Sequence, residues 1–214
     1  METVKLYNLD HYLRRFEAKV LVIFGLEAIL DRTLFYPESG GQAGDTGVIG
    51  GVKVTDTTNK EGAIVHRLEY SPSFKVGDTV LGEIDWDRRY RIMKLHTAAH
   101  LMEHFLWLRF GKIKRKGSFV DERKDRADYA YEGVLKQDAL RVVEEETNRF
   151  LSEGHEVVIT LDADKPWIRH WRCGPVEMLC AGTHVRNTSE IGRIKLKRKN
   201  PGRGVERVET SLRE

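Results

Sequence analysis

Two histidines one helical turn apart, and a cysteine and histidine at the same spacing some eighty residues later, constrain this chain more than any other feature of it. His96-Thr97-Ala98-Ala99-His100 lies inside a long helical pattern, so both imidazoles leave one face of the helix. Cys180-Ala181-Gly182-Thr183-His184 offers a thiolate and a third imidazole. Together these are the borderline-soft donors that tetrahedral zinc takes. The chain has only 2 cysteines and 8 histidines, so both half-motifs in one chain favour a metal site over unrelated histidines. Metalloproteases place a glutamate, their general base, directly after the first histidine. Thr97 stands there instead, and peptidase chemistry is disfavoured.

The patterning changes near residue 85. Before it, short stretches of β-branched and aromatic residues at 4–6, 15–24, 48–55, 63–68 and 79–85 predict strands, with turns at 59–62 and 76–78. Gly40, Gly41, Gly44, Gly47, Gly50 and Gly51 crowd one region without the Gly-Lys-Ser/Thr ending of a phosphate loop. They predict tight strand turns or a backbone wall beside a ligand. From Trp86 on, Tyr90, Met93, Ala98, Leu101, Phe105 and Leu108 recur near helical spacing, and no glycine or proline interrupts before Gly111. His104 continues the His96, His100 run, but eight residues carry it about 80° round the helix. It belongs with Glu103 on a polar face. Beyond this come a hairpin at 117–120 and 127–131, a second helix at 135–151 ended by Gly154, a strand at 156–161, a long irregular stretch at 162–182, and a basic hairpin at 191–197 and 204–210. The expected class is α+β: residues 1–85 a small, glycine-rich β-barrel-like domain, residues 86–214 an α+β domain with two long helices on a mainly antiparallel sheet.

Two cysteines make no disulfide framework. Cys173 and Cys180 are close enough in sequence to bridge, but the pairing of Cys180 with His184 argues for a thiolate and a reducing, cytoplasmic setting. The first residues carry neither the basic nor the apolar region of a signal peptide. The longest apolar run, 20–26, is far short of the ~20 residues a membrane span needs. Net charge is only +3, yet basic residues cluster twice: Lys112, Lys114, Arg115 and Lys116, then Arg193, Lys195, Lys197, Arg198, Lys199, Arg203 and Arg207. Such runs guard exposed strand edges or contact phosphates.

Three segments resemble one family. Phe35-Tyr36-Pro37-Glu38-Ser39-Gly40-Gly41-Gln42 with Gly44-Asp45, then His96-Thr97-Ala98-Ala99-His100, then Cys180-Ala181-Gly182-Thr183-His184-Val185 with Asn187-Thr188 and Glu190-Ile191-Gly192, are similar in kind and order to the free-standing alanyl-tRNA editing proteins (AlaX) and to the editing domain of alanyl-tRNA synthetases. The family usually has Cys-Gly-Gly-Thr-His; Ala181 replaces its first glycine and leaves both ligands in place.

The resemblance implies hydrolysis, in trans, of the ester that joins a wrong amino acid to alanine tRNA: chiefly serine, with glycine as the second candidate. A pocket built for alanine rejects these two by only ~1–3 kcal/mol, so a second site is needed. It further implies one zinc per chain on His96, His100, Cys180 and His184. Four protein ligands fill a tetrahedral shell, so either one ligand yields to water or substrate, or zinc orients the acceptor end, or it only staples the Cys180 loop to the helix. Thr33 and Gln42 are the candidates for reading the amino acid, and Gly40 and Gly41 would let backbone amides approach it. No general base stands out. Lys112, Lys114, Arg115, Lys116, Arg193, Lys195, Lys197, Lys199 and Arg203 are candidate tRNA-backbone contacts. The expected partner is mischarged tRNA(Ala), with no membrane and with a monomer or dimer in the cytoplasm. The rival expectations are a non-catalytic tRNA-binding module with structural zinc, and a related zinc-dependent aminoacyl-ester hydrolase of other tRNA specificity.

Overall fold

The computed structural model describes residues 2–165, 168–202 and 204–213; Arg203 lies outside them. The chain forms two compact units that meet in sequence between Tyr90 and Arg91.

The first unit holds β1 (Val4–Lys5), β2 (Arg15–Phe24), β3 (Glu27–Leu30), β4 (Arg32–Thr33), β5 (Gly47–Ile49), β6 (Val52–Lys60), β7 (Ala63–Leu68) and β8 (Thr79–Ile84). Six of these pair antiparallel in the order β2-β3-β7-β6-β5-β8, and β8 pairs back onto β2. Alternation sets the inside: Phe16, Ala18 and Val20 of β2 are buried while Glu17 and Lys19 face out. Strands β1 and β4 pair in parallel beside the ring. The expected single strand at 48–55 is instead the β5-β6 hairpin, turned at Gly50 and Gly51 with φ of +54° and +82°. Two consecutive positive φ values are what a two-residue hairpin turn demands, and this pair supplies them within one unbroken apolar pattern.

In the second unit, α1 (Trp86–Phe110) runs on from the first and is followed by β9 (Lys114–Val120), β10 (Asp125–Ala130), α2 (Gln137–Ser152), β11 (Val157–Leu161), β12 (Arg169–Cys173), β13 (Val176–Leu179), β14 (Ile194–Gly202) and β15 (Val205–Leu212). One antiparallel sheet has the order β14-β15-β10-β9, another β11-β12-β13. Two helices with mostly antiparallel sheets make the class α+β. The stretch expected to be irregular, 162–182, contains the β12-β13 hairpin. Its inward residues are Arg169, Trp171 and Cys173, and a buried arginine breaks the apolar alternation that marks a strand.

No residue of α1 from Arg91 to Trp107 is exposed. His96, Thr97, His100 and Glu103 are buried alongside Leu95, Ala98 and Leu101. The helix is therefore not amphipathic in the usual sense, because polar groups are carried into the interior. Helix α2 seals the edge of β14. Asn148 exchanges two hydrogen bonds with the Ile194 backbone (3.0 and 2.7 Å), and Glu144 accepts the Leu196 N–H at 2.7 Å. These side chains take the place of a missing neighbour strand, so the β14 lysines are not needed to guard an open edge.

Candidate metal centre

The side chains of His96, His100, Cys180 and His184 converge. One ligand atom from each lies within 4.8 Å of every other. Helix α1 presents the first two from successive turns. The loop after β13 brings the others, held at its start by the Cys180 N–H donating to the Arg169 carbonyl at 3.1 Å. Cys180 Sγ lies 3.6 Å from His96 Nε2 and 3.3 Å from His184 Nε2. Zinc with ordinary bond lengths holds its sulfur and nitrogen donors about 3.6 Å apart. His100 Nε2 is buried and has no hydrogen-bond partner among the described residues, which suits a metal ligand. The donor set and its spacing fit zinc.

Electrostatics agree. Burial, with the charges of His96 and Arg115, holds the His100 imidazole well below its ordinary pKa, in the neutral ligand form. Burial pushes the Cys180 thiol up, opposed by the Gly182 N–H, Arg115 and Arg169. A bound cation is what would release its proton.

The surrounding residues fix the ligands. His184 Nδ1 is 3.1 Å from Thr97 Oγ1; with Nε2 as ligand, Nδ1 carries the proton and donates to that hydroxyl. Thr97 also accepts the Val185 N–H at 3.4 Å. Trp171 packs on His100 and His184, with ring centroids 5.0 and 5.6 Å away. The Asn187-Thr188 and Glu190 residues of the resemblance close the loop. Asn187 and Glu190 form a capping box, Asn187 donates to the Gly154 carbonyl, and Thr188 donates to the Leu151 carbonyl at the end of α2. Sequence reading gave Thr97 and Trp171 no role at the site and set Glu103 on a polar face with His104, whereas Glu103 is buried. Only Glu103 left a signal, three residues past His100 on the same helix face. His104 stays outside the ligand cluster.

In the first unit, Thr33 is buried. Its Oγ1 accepts the Phe35 N–H at 3.0 Å and lies 2.8 Å from His66 Nε2. His66 Nδ1 faces the Ala28 carbonyl at 3.1 Å and so carries the proton, which makes Nε2 the acceptor of the Thr33 hydroxyl. Burial lowers the His66 pKa to about 4. Gln42 is buried and closes a turn with Ser39 through backbone bonds of 2.9 and 3.2 Å. Gly40 and Gly41 span that turn at φ +59° and +82°. The segment is tied to the start of α1 by a buried ion pair. Arg89 Nε lies 2.9 and 3.0 Å from the two Asp45 oxygens, Arg89 Nη2 also donates to Asp45, and Asp45 accepts the Tyr36 N–H at 2.6 Å.

The basic residues divide. Lys112, Lys114, Arg115 and Lys116 are exposed in or just before β9; Arg193, Lys195, Lys197 and Lys199 are exposed in or just before β14. Arg198 and Arg207 are paired instead with Glu206 and Asp128, at 2.6 and 2.8 Å. Both cysteines are free. No helix of the described residues is long and apolar enough to cross a membrane.

Known proteins are similar to this chain over most of its length. A family profile described as "tRNA synthetases class II (A)" matches residues 5–88, and one described as "Threonyl and Alanyl tRNA synthetase second additional domain" matches residues 171–209. The alanyl-tRNA editing protein AlaX-M of Pyrococcus horikoshii is 41% identical, covering 98% of each chain. The chain belongs to the AlaX-M family of free-standing alanyl-tRNA editing proteins. The AlaX-M protein of Saccharolobus solfataricus is 34% identical over 96% of this chain and 97% of its own. The alanine–tRNA ligase of Saccharolobus islandicus is 36% identical over 91% of this chain, which spans 25% of that enzyme.

Proposed function

We propose that this chain is a trans-editing hydrolase that deacylates alanine tRNA mischarged with serine, with glycine as a second substrate. One observation carries the reading. Four side chains of the zinc-binding type converge, with the right spacing, in a chain 41% identical to a protein named for alanyl-tRNA editing.

His96, His100, Cys180 and His184 would hold one zinc, whose contribution when bound is to polarise the ester carbonyl or the terminal ribose oxygen. Thr97 and Trp171 keep the imidazoles oriented. Thr33 and Gln42 read the amino acid. The Thr33 hydrogen goes to His66, so its oxygen keeps one lone pair to accept a serine hydroxyl. Alanine would leave that lone pair unpaired, which disfavours it. Gly40 and Gly41 form a turn whose outer side is open, since a side chain on Gly40 would meet nothing within 4 Å. An aminoacyl ester is labile enough that orientation supplies much of the rate. Lys112, Lys114, Arg115, Lys116, Arg193, Lys195, Lys197 and Lys199, with Arg203, contact the tRNA backbone. We read residues 1–85, with their closed strand ring, as the family's glycine-rich barrel, residues 86–214 as the editing domain, and the chain as cytoplasmic.

The second reading, a tRNA-binding module with structural zinc, is favoured by the full set of four ligands, which leaves no open position. Purified protein incubated with seryl- and with alanyl-tRNA(Ala), beside His96→Ala, separates the two. Rapid loss of serine only, abolished in a folded variant, supports editing. Tight binding without ester loss supports the module.

A further inference from the structure

Arg115 stands apart from the lysines around it. Strands β9 and β10 pair regularly until Asp128 opposes Gly117; the next pair is Tyr129 with Arg115. The register slips by one at Lys116. A slip of this kind re-aims a side chain, and here it sets Arg115 rather than Lys116 directly across from the buried Tyr129. Both residues grip one carboxylate. Arg115 Nη1 donates to Glu103 Oε2 at 3.2 Å, and the Tyr129 hydroxyl donates to Glu103 Oε1 at 3.1 Å. Glu103 is 2% exposed, whereas the Arg115 side chain is 43% exposed.

Glu103 sits on α1 one turn beyond His100. Burying a carboxylate is costly without a purpose-built partner, and this one holds a cation beside the ligand cluster. The bond to Glu103 is the one side-chain hydrogen bond of Arg115 among the described residues. Its other N–H donors remain for a ligand, in the planar fork that suits a phosphate diester. Lys114 and Lys116 lack the fork, and among the described residues no carboxylate holds either of them.

We propose that Arg115 binds the 3′-terminal phosphodiester of the tRNA acceptor end at the metal centre, with Glu103 and Tyr129 as its positioning residues. This rests on the tRNA-editing reading. It differs from a general backbone contact because it makes affinity depend on the last nucleotide.

The test compares uncharged tRNA(Ala) with the same RNA lacking its 3′-terminal adenosine, and so its last phosphodiester. Zinc content is measured beside each dissociation constant. Wild type is expected to prefer the full-length RNA about tenfold. Arg115→Met/Glu103→Gln removes both charges together and leaves no buried charge unpaired. It is expected to keep one zinc per chain, lose the preference, and lower the salt slope by about one for the full-length RNA only. Lys116→Met is expected to weaken both RNAs alike and keep the preference. The inference is overturned if the double variant keeps the preference or weakens both RNAs equally. Should the double variant fail to hold zinc, Arg115→Lys preserves the charge opposite Glu103 and loses only the fork; an unchanged preference there overturns the inference as well. Wild type that binds neither RNA defeats the tRNA reading itself, a result distinct from binding without preference.

Discussion

Replacing Thr33 with valine keeps the shape of the side chain and deletes one oxygen. That oxygen accepts the Phe35 N–H at 3.0 Å and donates to His66 Nε2 at 2.8 Å, and all three residues are buried. The valine leaves one buried donor and one buried acceptor without partners. Each orphan costs about 1–3 kcal/mol, so the expected loss is about 2–6 kcal/mol. Thr33→Ser keeps the oxygen and removes a single methyl, for a cost of about 1 kcal/mol. Urea unfolding at pH 7 of wild type and both variants measures the difference. A Thr33→Val protein within about 0.5 kcal/mol of wild type, the range of an inconsequential surface change, would refute the network. The same proteins report on function, since Thr33→Ser should retain preference for seryl-tRNA(Ala).

Asp45→Asn leaves the Arg89 charge buried and unbalanced and should cost about 3–5 kcal/mol in the same assay; near-wild-type stability would show that the pair does not anchor the glycine-rich segment. His66, held near pKa 4 against an ordinary 6.5, stays neutral in the folded state while the unfolded chain takes up a proton. Stability should therefore fall as pH drops from about 6.5, by about 3 kcal/mol at pH 4, and His66→Phe should remove that component. Asp125 works in the opposite window. Burial pushes its carboxyl from 3.8 to about 8, so the folded state keeps a proton that the unfolded state has released. Stability should decline as pH rises between these values, and Asp125→Asn should flatten the decline. Replacing Lys197 and Lys199 together should weaken tRNA binding across sequences and lower its salt slope by about one to two; an unchanged slope would exclude them from the interface.

Helix α1 is legible because no glycine or proline interrupts it between Trp86 and Gly111. The ligand set is legible because each half has helical spacing or a glycine beside it, although the two halves lie far apart in the chain. Strand β12 is hidden by Arg169, a buried charge that breaks the apolar alternation. The β5-β6 hairpin is hidden because Gly50 and Gly51 read as one more pair in a glycine-rich region. The role of Arg115 is invisible in its own neighbourhood: among Lys112, Lys114 and Lys116 it reads as one more surface cation. A one-residue slip in strand pairing and a carboxylate on another element set it apart. Neither the Thr33–His66 network nor the grip of Thr97 on His184 follows from spacing, because each joins residues brought together only by the fold.

The most direct test is the rate of ester loss from seryl-tRNA(Ala) and alanyl-tRNA(Ala) by metal-stripped protein as zinc is added back. Activity on the serine ester that is absent without metal and complete at one zinc per chain, with the alanine ester spared throughout, is the expected result. Equal hydrolysis by the stripped protein, or equal loss of serine and alanine, would contradict a zinc-dependent editor built on His96, His100, Cys180 and His184.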